Sequence, residues 1–284
     1  MRLRETGSFL REVIDDWQRD NALSQGAALA YYTLFSLTPL LVLVIIVAGL
    51  ALGRAAAQGQ VVDQIQGLVG PDTAGMVQGM VERASTPRSG IVPTLVSVAA
   101  ILFGASGLVG QLRTSLNQIW GVPPTKGGGV LAALRQRLLA LVVIGGMGML
   151  LLLSAVLSTV LAAAQELIAH HLPLVARVLP ASNLVLSLVV STTFFAMIFE
   201  LLPDVDMHWR DVWLGAGVTA ILFTVGKGLI ALYLGRAASA SIYGAAGSLV
   251  LLLLWVYYSA QILLLGAEFT EVYARRYGSL RGRR

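Results

Sequence analysis

The sequence predicts an all-α fold: a polytopic membrane protein, a bundle of six transmembrane helices with interfacial amphipathic helices. Three observations carry that prediction. Of 284 residues, 56% are hydrophobic and only 12% charged, about half of the ~25% charged fraction usual in a soluble domain. The few charges are also segregated. No Asp, Glu, Lys or Arg occurs between Asp20 and Arg54, Arg88 and Arg113, Arg137 and Glu166, Arg177 and Glu200, or Arg236 and Glu268. A further stretch, Val212 to Gly235, holds only Lys227. A helix needs roughly 20 apolar residues to cross about 30 Å of hydrocarbon, and every run is long enough. Thirty glycines fit the same picture, because small residues let membrane helices approach closely.

Residues 1–29 read as a cytoplasmic amphipathic segment. Arg2, Arg4, Glu5, Arg11, Glu12, Asp15 and Asp16 with no early apolar stretch are not the pattern of a cleavable signal peptide. Phe9, Leu10, Val13, Ile14 and Trp17 recur at helical spacing, which predicts a helix on the membrane face or packed on a cytoplasmic part of the same chain. Residues 30–268 form the transmembrane domain, with spans expected at Ala30–Leu52, Val92–Leu112, Leu138–Leu161, Leu184–Leu202, Val212–Leu232 and Leu249–Ala267. The outer loop, 54–90, carries an apolar stripe (Val61, Val62, Ile65, Leu68, Val69) ended by Gly70-Pro71. Asp72 is then expected to cap a second short helix bearing Met76, Val77, Met80 and Val81. These two helices either cap a cavity or lie on the outer leaflet. The inner connection, 113–137, holds Trp120, Pro123-Pro124 and three consecutive glycines from Gly127. The glycine run lacks the Gly-Lys-Ser/Thr ending of a phosphate-binding loop. Residues 269–284 are a basic cytoplasmic tail.

Sidedness follows from where Lys and Arg fall. Fourteen lie in the N-terminal tail, the second and fourth connections and the C-terminal tail, against five in the other connections. The positive-inside rule then puts both termini in the cytoplasm. The arginines from Arg275 to Arg284 are expected to rest on anionic lipid headgroups at about 1 kcal/mol each. No aromatic stacking platform or nucleic-acid module accompanies them, so no nucleic-acid partner is expected. The oligomeric state is open.

Several segments together resemble the YihY/BrkB family of bacterial inner-membrane proteins, once labelled ribonuclease BN. They are GAALAYYTLFSLTPLL from Gly26 to Leu41, the Pro-rich inner connection, and the last span from Ser241 to Arg276. Within these, Tyr31, Tyr32, Tyr243, Gly244, Trp255, Tyr257 and Gly266 are the family-like positions. The resemblance implies six spans, both termini inside, and roles in envelope integrity, serum resistance or lipid export.

Enzyme chemistry finds little purchase. The three histidines fall on opposite sides of the predicted topology, His170 and His171 outside and His208 inside, so they cannot share a metal site. Asp204, Asp206 and His208 form one local alternation, read as a solvated turn. Cysteine is absent, and no Ser sits in a nucleophile elbow. The sequence therefore points to no catalytic residue, metal or cofactor, and no ATP-binding motif is present.

Intramembrane charges are the better lead, because each costs about 2.5–3.5 kcal/mol at a helix centre unless paired or wetted. Lys227 is expected about 22 Å above the inner face at 1.5 Å per residue, where it either binds an anionic substrate or snorkels outward. Glu166 is its expected partner. Glu200 and Glu268 close the inner ends of spans four and six, as gates, as proton-coupling groups or as carboxylates resting at the water boundary. Gln111, Asn117, Asn183 and Gln261 are expected to bond between helices. Pro39 removes a helix hydrogen bond and is expected to kink span one. The expected function is export of an amphipathic anionic substrate such as an envelope lipid. The alternative is a non-transporting scaffold that meets an envelope partner through the outer loop.

Overall fold

A computed structural model describes residues 3–85, 106–123, 179–205, 207–237 and 247–281, with scattered positions between 142 and 157. Among the described residues all regular structure is helical. In chain order the helices are α1 (Leu3–Arg19), α2 (Ala22–Leu52), α3 (Arg54–Val69), α4 (Pro71–Ser85), α5 (106–119), α6 (Leu179–Leu201), α7 (Trp209–Ala237) and α8 (Gly247–Arg276). Four contain stretches long and apolar enough to cross a membrane: Ala22–Ile46, Leu184–Leu201, Trp209–Ile230 and Gly247–Arg276. Most of the expected spans Leu138–Leu161 and Val92–Leu112 lies outside the described residues, so the count of six rests on those two segments.

The exterior is apolar. Leu184, Val185 and Val189 on α6, Ile221, Val225 and Leu229 on α7, and Leu254 on α8 are all exposed. A water-soluble bundle turns such stripes inward, whereas lipid solvates them. The core lies between α2, α5, α6, α7 and α8, where Leu116, Phe199, Val212 and Leu264 are fully buried. Its aromatic rings interlock: Trp120 meets Phe199 edge-on at 6.1 Å, and Phe223 lies between Phe195 at 5.6 Å and Trp255 at 6.3 Å.

The antiparallel pair α7–α8 is held by a reciprocal small-residue contact. Gly215 faces Thr270, and Gly266 faces Thr219. Each threonine hydroxyl donates to the carbonyl of the glycine four residues earlier on its own helix, Thr219 to Gly215 at 2.8 Å and Thr270 to Gly266 at 2.7 Å. Both buried hydroxyls are thus satisfied internally, leaving their carbon faces for packing.

Two sequence expectations change. The first membrane helix starts at Ala22 rather than Ala30, because its opening turns (Ser24, Gln25, Gly26) are polar yet helical. Pro39 lies inside this single helix from Ala22 to Leu52. Pro71, not a residue beyond Asp72, takes the first position of α4, where its missing N–H is not needed. Asp72 therefore falls inside the first turn instead of capping it. Gly53 and Gly70, at φ 82° and 85°, provide the left-handed turns that end α2 and α3.

The α3–α4 hairpin folds back on the later half of α2. Ala57 from α3 and Val77 and Val81 from α4 bury Leu41, Val42 and Ile45. At the opposite end, α1 packs on the last turns of α8, with Phe9 edge-on to Phe269 at 5.1 Å and Val13 and Val272 buried beside them. Its other face leaves Leu10 and Ile14 exposed. Both ends of the described chain thus meet at one end of the bundle, called here the terminal end.

Candidate functional site

Charge collects at the terminal end. Arg275 donates to Glu12 at 2.8 Å and to Asp16 at 2.7 Å, and lies 3.5 Å from Glu271. Arg276 pairs with Glu12 and stands over the Phe9 ring at 5.9 Å. Two of the five tail arginines therefore clasp α1 to α8. A second clamp lies beside it: Arg113 forks onto Asp204, Asn117 donates to the same carboxylate at 3.0 Å, and the Asp204 N–H donates to Asn117 at 2.8 Å. This occupation of Asp204 removes it from any metal reading. Among the described residues no group of three His, Cys, Asp or Glu is placed to hold a metal ion, while Asp206 lies outside them. The chain end closes the third contact, where the Ser279 N–H donates to Asp211 at 2.7 Å.

The corner between α1 and α2 turns on Asn21, at φ 53° in the left-handed region that Asn tolerates better than most residues. Its geometry is pinned by two side-chain amides, since Gln25 at 2.7 Å and Gln118 at 3.0 Å both donate to the Asp20 carbonyl. Facing this corner is Glu268. It is fully buried, and no donor among the described residues reaches either carboxylate oxygen. The Asp20 carboxyl is its neighbour across the corner. Burial raises the Asp20 carboxyl above its ordinary range; the contacts to Glu268, Arg19 and Gln118 oppose the rise, and Asp16 adds to it. Glu268 was expected at the inner end of the last span, as a gate, as a proton-coupling group or resting at the water boundary near Arg210, Arg275 or Arg113. It lies instead in the interior, and Arg275 and Arg113 are taken by other carboxylates.

The remaining sequence-derived positions divide by depth. Glu200 is half-buried in the last turn of α6, beside the fully buried Phe199. Gln261 donates to the Ala22 carbonyl at 3.2 Å, and Gly26 lies beneath that amide and the Tyr257 ring. Tyr31 and Tyr32 are exposed on α2, with Tyr32 against Gly107 of α5. Gly266 is the α7–α8 contact itself. Glu166, Tyr243 and Gly244 lie outside the described residues. Sequence reasoning passed over Asp20 and the Glu12–Asp16 pair, treating Asp20 only as the edge of an uncharged run.

Lys227 is half-buried on α7. Its neighbour Gly226 faces the Tyr258 hydroxyl and the Ile262 Cδ1, while Gly228 has nothing within 4 Å of where a Cβ would stand. The kind of atom matters. At Gly215 and Gly266 the facing atoms are threonine Oγ1, Cβ and Cγ2, at most two bonds from the backbone; at Gly226 they are the tips of long side chains. The axes of α7 and α8 are therefore close at the terminal end and held further apart at Lys227. Tyr258 precedes Glu268 by about 15 Å along α8 at 1.5 Å per residue, so Lys227 and Glu268 occupy separate depths.

An apolar exterior and, among the described residues, four helices long and apolar enough to cross a membrane, with internally paired charge at one end, define an integral membrane protein of the helical-bundle class. Residues 13–284 match the family described as virulence factor BrkB, and the chain belongs to that family. It is similar to UPF0761 membrane proteins of Verminephrobacter eiseniae (29% identical, covering 75% of this chain and 50% of the relative), Azotobacter vinelandii (27%, 92% and 62%) and Alkalilimnicola ehrlichii (26%, 96% and 59%). The chain thus spans between 50% and 62% of the length of these relatives. No solved structure matches.

Proposed function

We propose that this protein is a transporter of the bacterial inner membrane, exporting an amphipathic anionic substrate such as an envelope lipid, with the terminal end in the cytoplasm. One observation carries the reading: a half-buried cation, Lys227, stands where α7 and α8 diverge, beside the open side of Gly228. A headgroup phosphate or carboxylate pairs with the ammonium there, while the acyl chains stay against the exposed apolar flanks of α7. The charge-assisted contact offsets the cost of a lysine within a span. The remaining tail arginines, from Arg281 onward, rest on anionic headgroups. No catalytic residue or cofactor is assigned.

Reconstituted vesicles carrying labelled anionic and zwitterionic lipids test the proposal. Wild-type protein moves the anionic lipids across the bilayer, and Lys227→Ala slows them roughly tenfold to a hundredfold, the worth of one hydrogen bond to a charged group. Normal folding with full-rate movement in Lys227→Ala removes the residue from the pathway. The scaffold alternative draws on the α3–α4 hairpin, which is fixed on α2 and presents Asp63, Gln64 and Gln66 outward. It predicts indifference to Lys227 and sensitivity to those three positions.

A further inference from the structure

The buried polar side-chain atoms that lack a hydrogen-bond partner among the described residues gather at the terminal end. They include both carboxyl oxygens of Glu268, Gln25 Oε1, Gln261 Oε1, Ser115 Oγ and Trp120 Nε1. Such atoms are rare in folded proteins, and a concentration of them marks a place built for a polar occupant. Glu268 is the sharpest case. It is fully buried, and its acidic surroundings are Asp20, Asp16 and Glu271. Every nearby cation has other work: Arg275 holds Glu12, Asp16 and Glu271, Arg276 holds Glu12, Arg19 holds Asp16, and Arg113 holds Asp204. On α7 the adjacent acid, Asp211, accepts from Ser279.

An ionised carboxylate at that position is a buried charge facing like charges, the costliest arrangement a side chain can adopt. A proton removes the cost. It also makes chemical sense of the Asp20 contact, because two carboxyls can hydrogen-bond only when one of them carries hydrogen. We propose that Glu268 and Asp20 form a proton-binding carboxyl pair at the terminal end of the bundle, with Glu268 donating to the Asp20 carboxylate. Burial raises the Asp20 carboxyl while the Glu268 contact holds it down, the direction expected when Glu268 is the donor. Asp20 is only part-buried and opens the pair to solvent, so a proton reaches Glu268 through it. Use of this proton to drive substrate movement rests on the transporter reading; the site itself does not.

Infrared difference spectra of the full chain in lipid vesicles, recorded across a pH titration, test the site without any transport measurement. A protonated-carboxyl carbonyl band is expected at neutral pH. It disappears in Glu268→Gln, whose amide mimics the protonated acid in size, and shifts in Asp20→Asn. Absence of the band at neutral pH overturns the proposal, as does a band unchanged in both variants. Loss of the band when sodium replaces a large organic cation at fixed pH overturns it too, by making the occupant a metal ion. If Glu268→Gln fails to fold, Asp20→Asn alone decides, and an unshifted band there is negative. A band that behaves as expected in protein that moves no lipid leaves the proton site standing and removes the transporter. The reverse result removes only the proton site.

Discussion

Replacing Gly266 by alanine tests the α7–α8 contact that sets the spacing of both charged sites. The new Cβ falls 2.8 Å from both Cβ and Cγ2 of Thr219, with Oγ1 closer still. Carbon pairs rest at about 3.5–4.0 Å, so the helices must part by about 1 Å or Thr219 must leave its rotamer. The second route is obstructed, because its hydroxyl is committed to the Gly215 carbonyl at 2.8 Å. Overpacking of this kind costs about 1–3 kcal/mol. The upper figure is expected here, since separation also loosens the reciprocal Gly215–Thr270 contact. All three atoms nearest the added methyl belong to Thr219, so Thr219→Gly deletes the obstruction. That change alone costs about 1 kcal/mol in helix propensity. The double variant nevertheless unfolds later than Gly266→Ala, a coupling of opposite sign to the single effects. Reversible denaturation in mixed micelles, followed by circular dichroism, measures all three proteins. Wild-type stability in Gly266→Ala, or simple additivity in the double variant, refutes the zipper.

Two further outcomes follow from the terminal end. Arg275→Ala leaves Asp16 with Arg19 alone and removes one of the two arginines on Glu12; amide exchange in α1 is expected to quicken about tenfold, from the loss of ~1.4 kcal/mol of charge-assisted bonding, with α2 unchanged, and mass-spectrometric hydrogen exchange reads both. Asp20 has its folded pKa raised above the ordinary 3.8 by burial, so its stabilising contribution is complete below 3.8 and is lost as pH rises through the higher folded value. Thermal melts of wild type therefore lose stability across that window in a way that Asp20→Asn does not, and identical pH profiles would contradict the placement of this carboxyl.

Helicity was legible in the sequence; azimuth was not. The stripe Phe9, Val13, Trp17 announced α1, and Gly70-Pro71 announced the break between α3 and α4, because period and turn chemistry are local. Polarity reports contact with water rather than the end of a helix, so Ser24 and Gln25 hid the opening turns of α2. A charge count placed Glu268 at a membrane boundary and Asp20 at the edge of an uncharged run. Nothing local says that the two face each other, since that depends on how α2 and α8 are rotated about their axes. The Gly-x3-Thr pairs at Gly215 and Gly266 are visible as small residues, yet their function requires a partner helix in register. Asp204 was read as part of a solvated turn, and nothing local announced that Arg113 and Asn117 would hold its carboxylate.

The placement of small residues constrains which helices can move. At the terminal end α7 and α8 touch almost backbone to backbone through Gly215–Thr270 and Gly266–Thr219, so sliding one past the other there means lifting a methyl-bearing side chain out of a glycine notch. The contact of α8 with α2 has a different character. It is made by Gln261 reaching the Ala22 carbonyl and by Tyr257 over Gly26, side chains that can re-form their contacts after a small shift. The Asp20–Glu268 pair lies in that softer seam, with α1 clasped over it by arginine pairs. Deprotonating the pair sets two carboxylates against each other across the seam, and like charges in a low dielectric repel by several kcal/mol. On the proposed proton site, opening of this seam is expected to carry α7 and α8 away from α2 together, because the glycine–threonine contacts hold that helix pair.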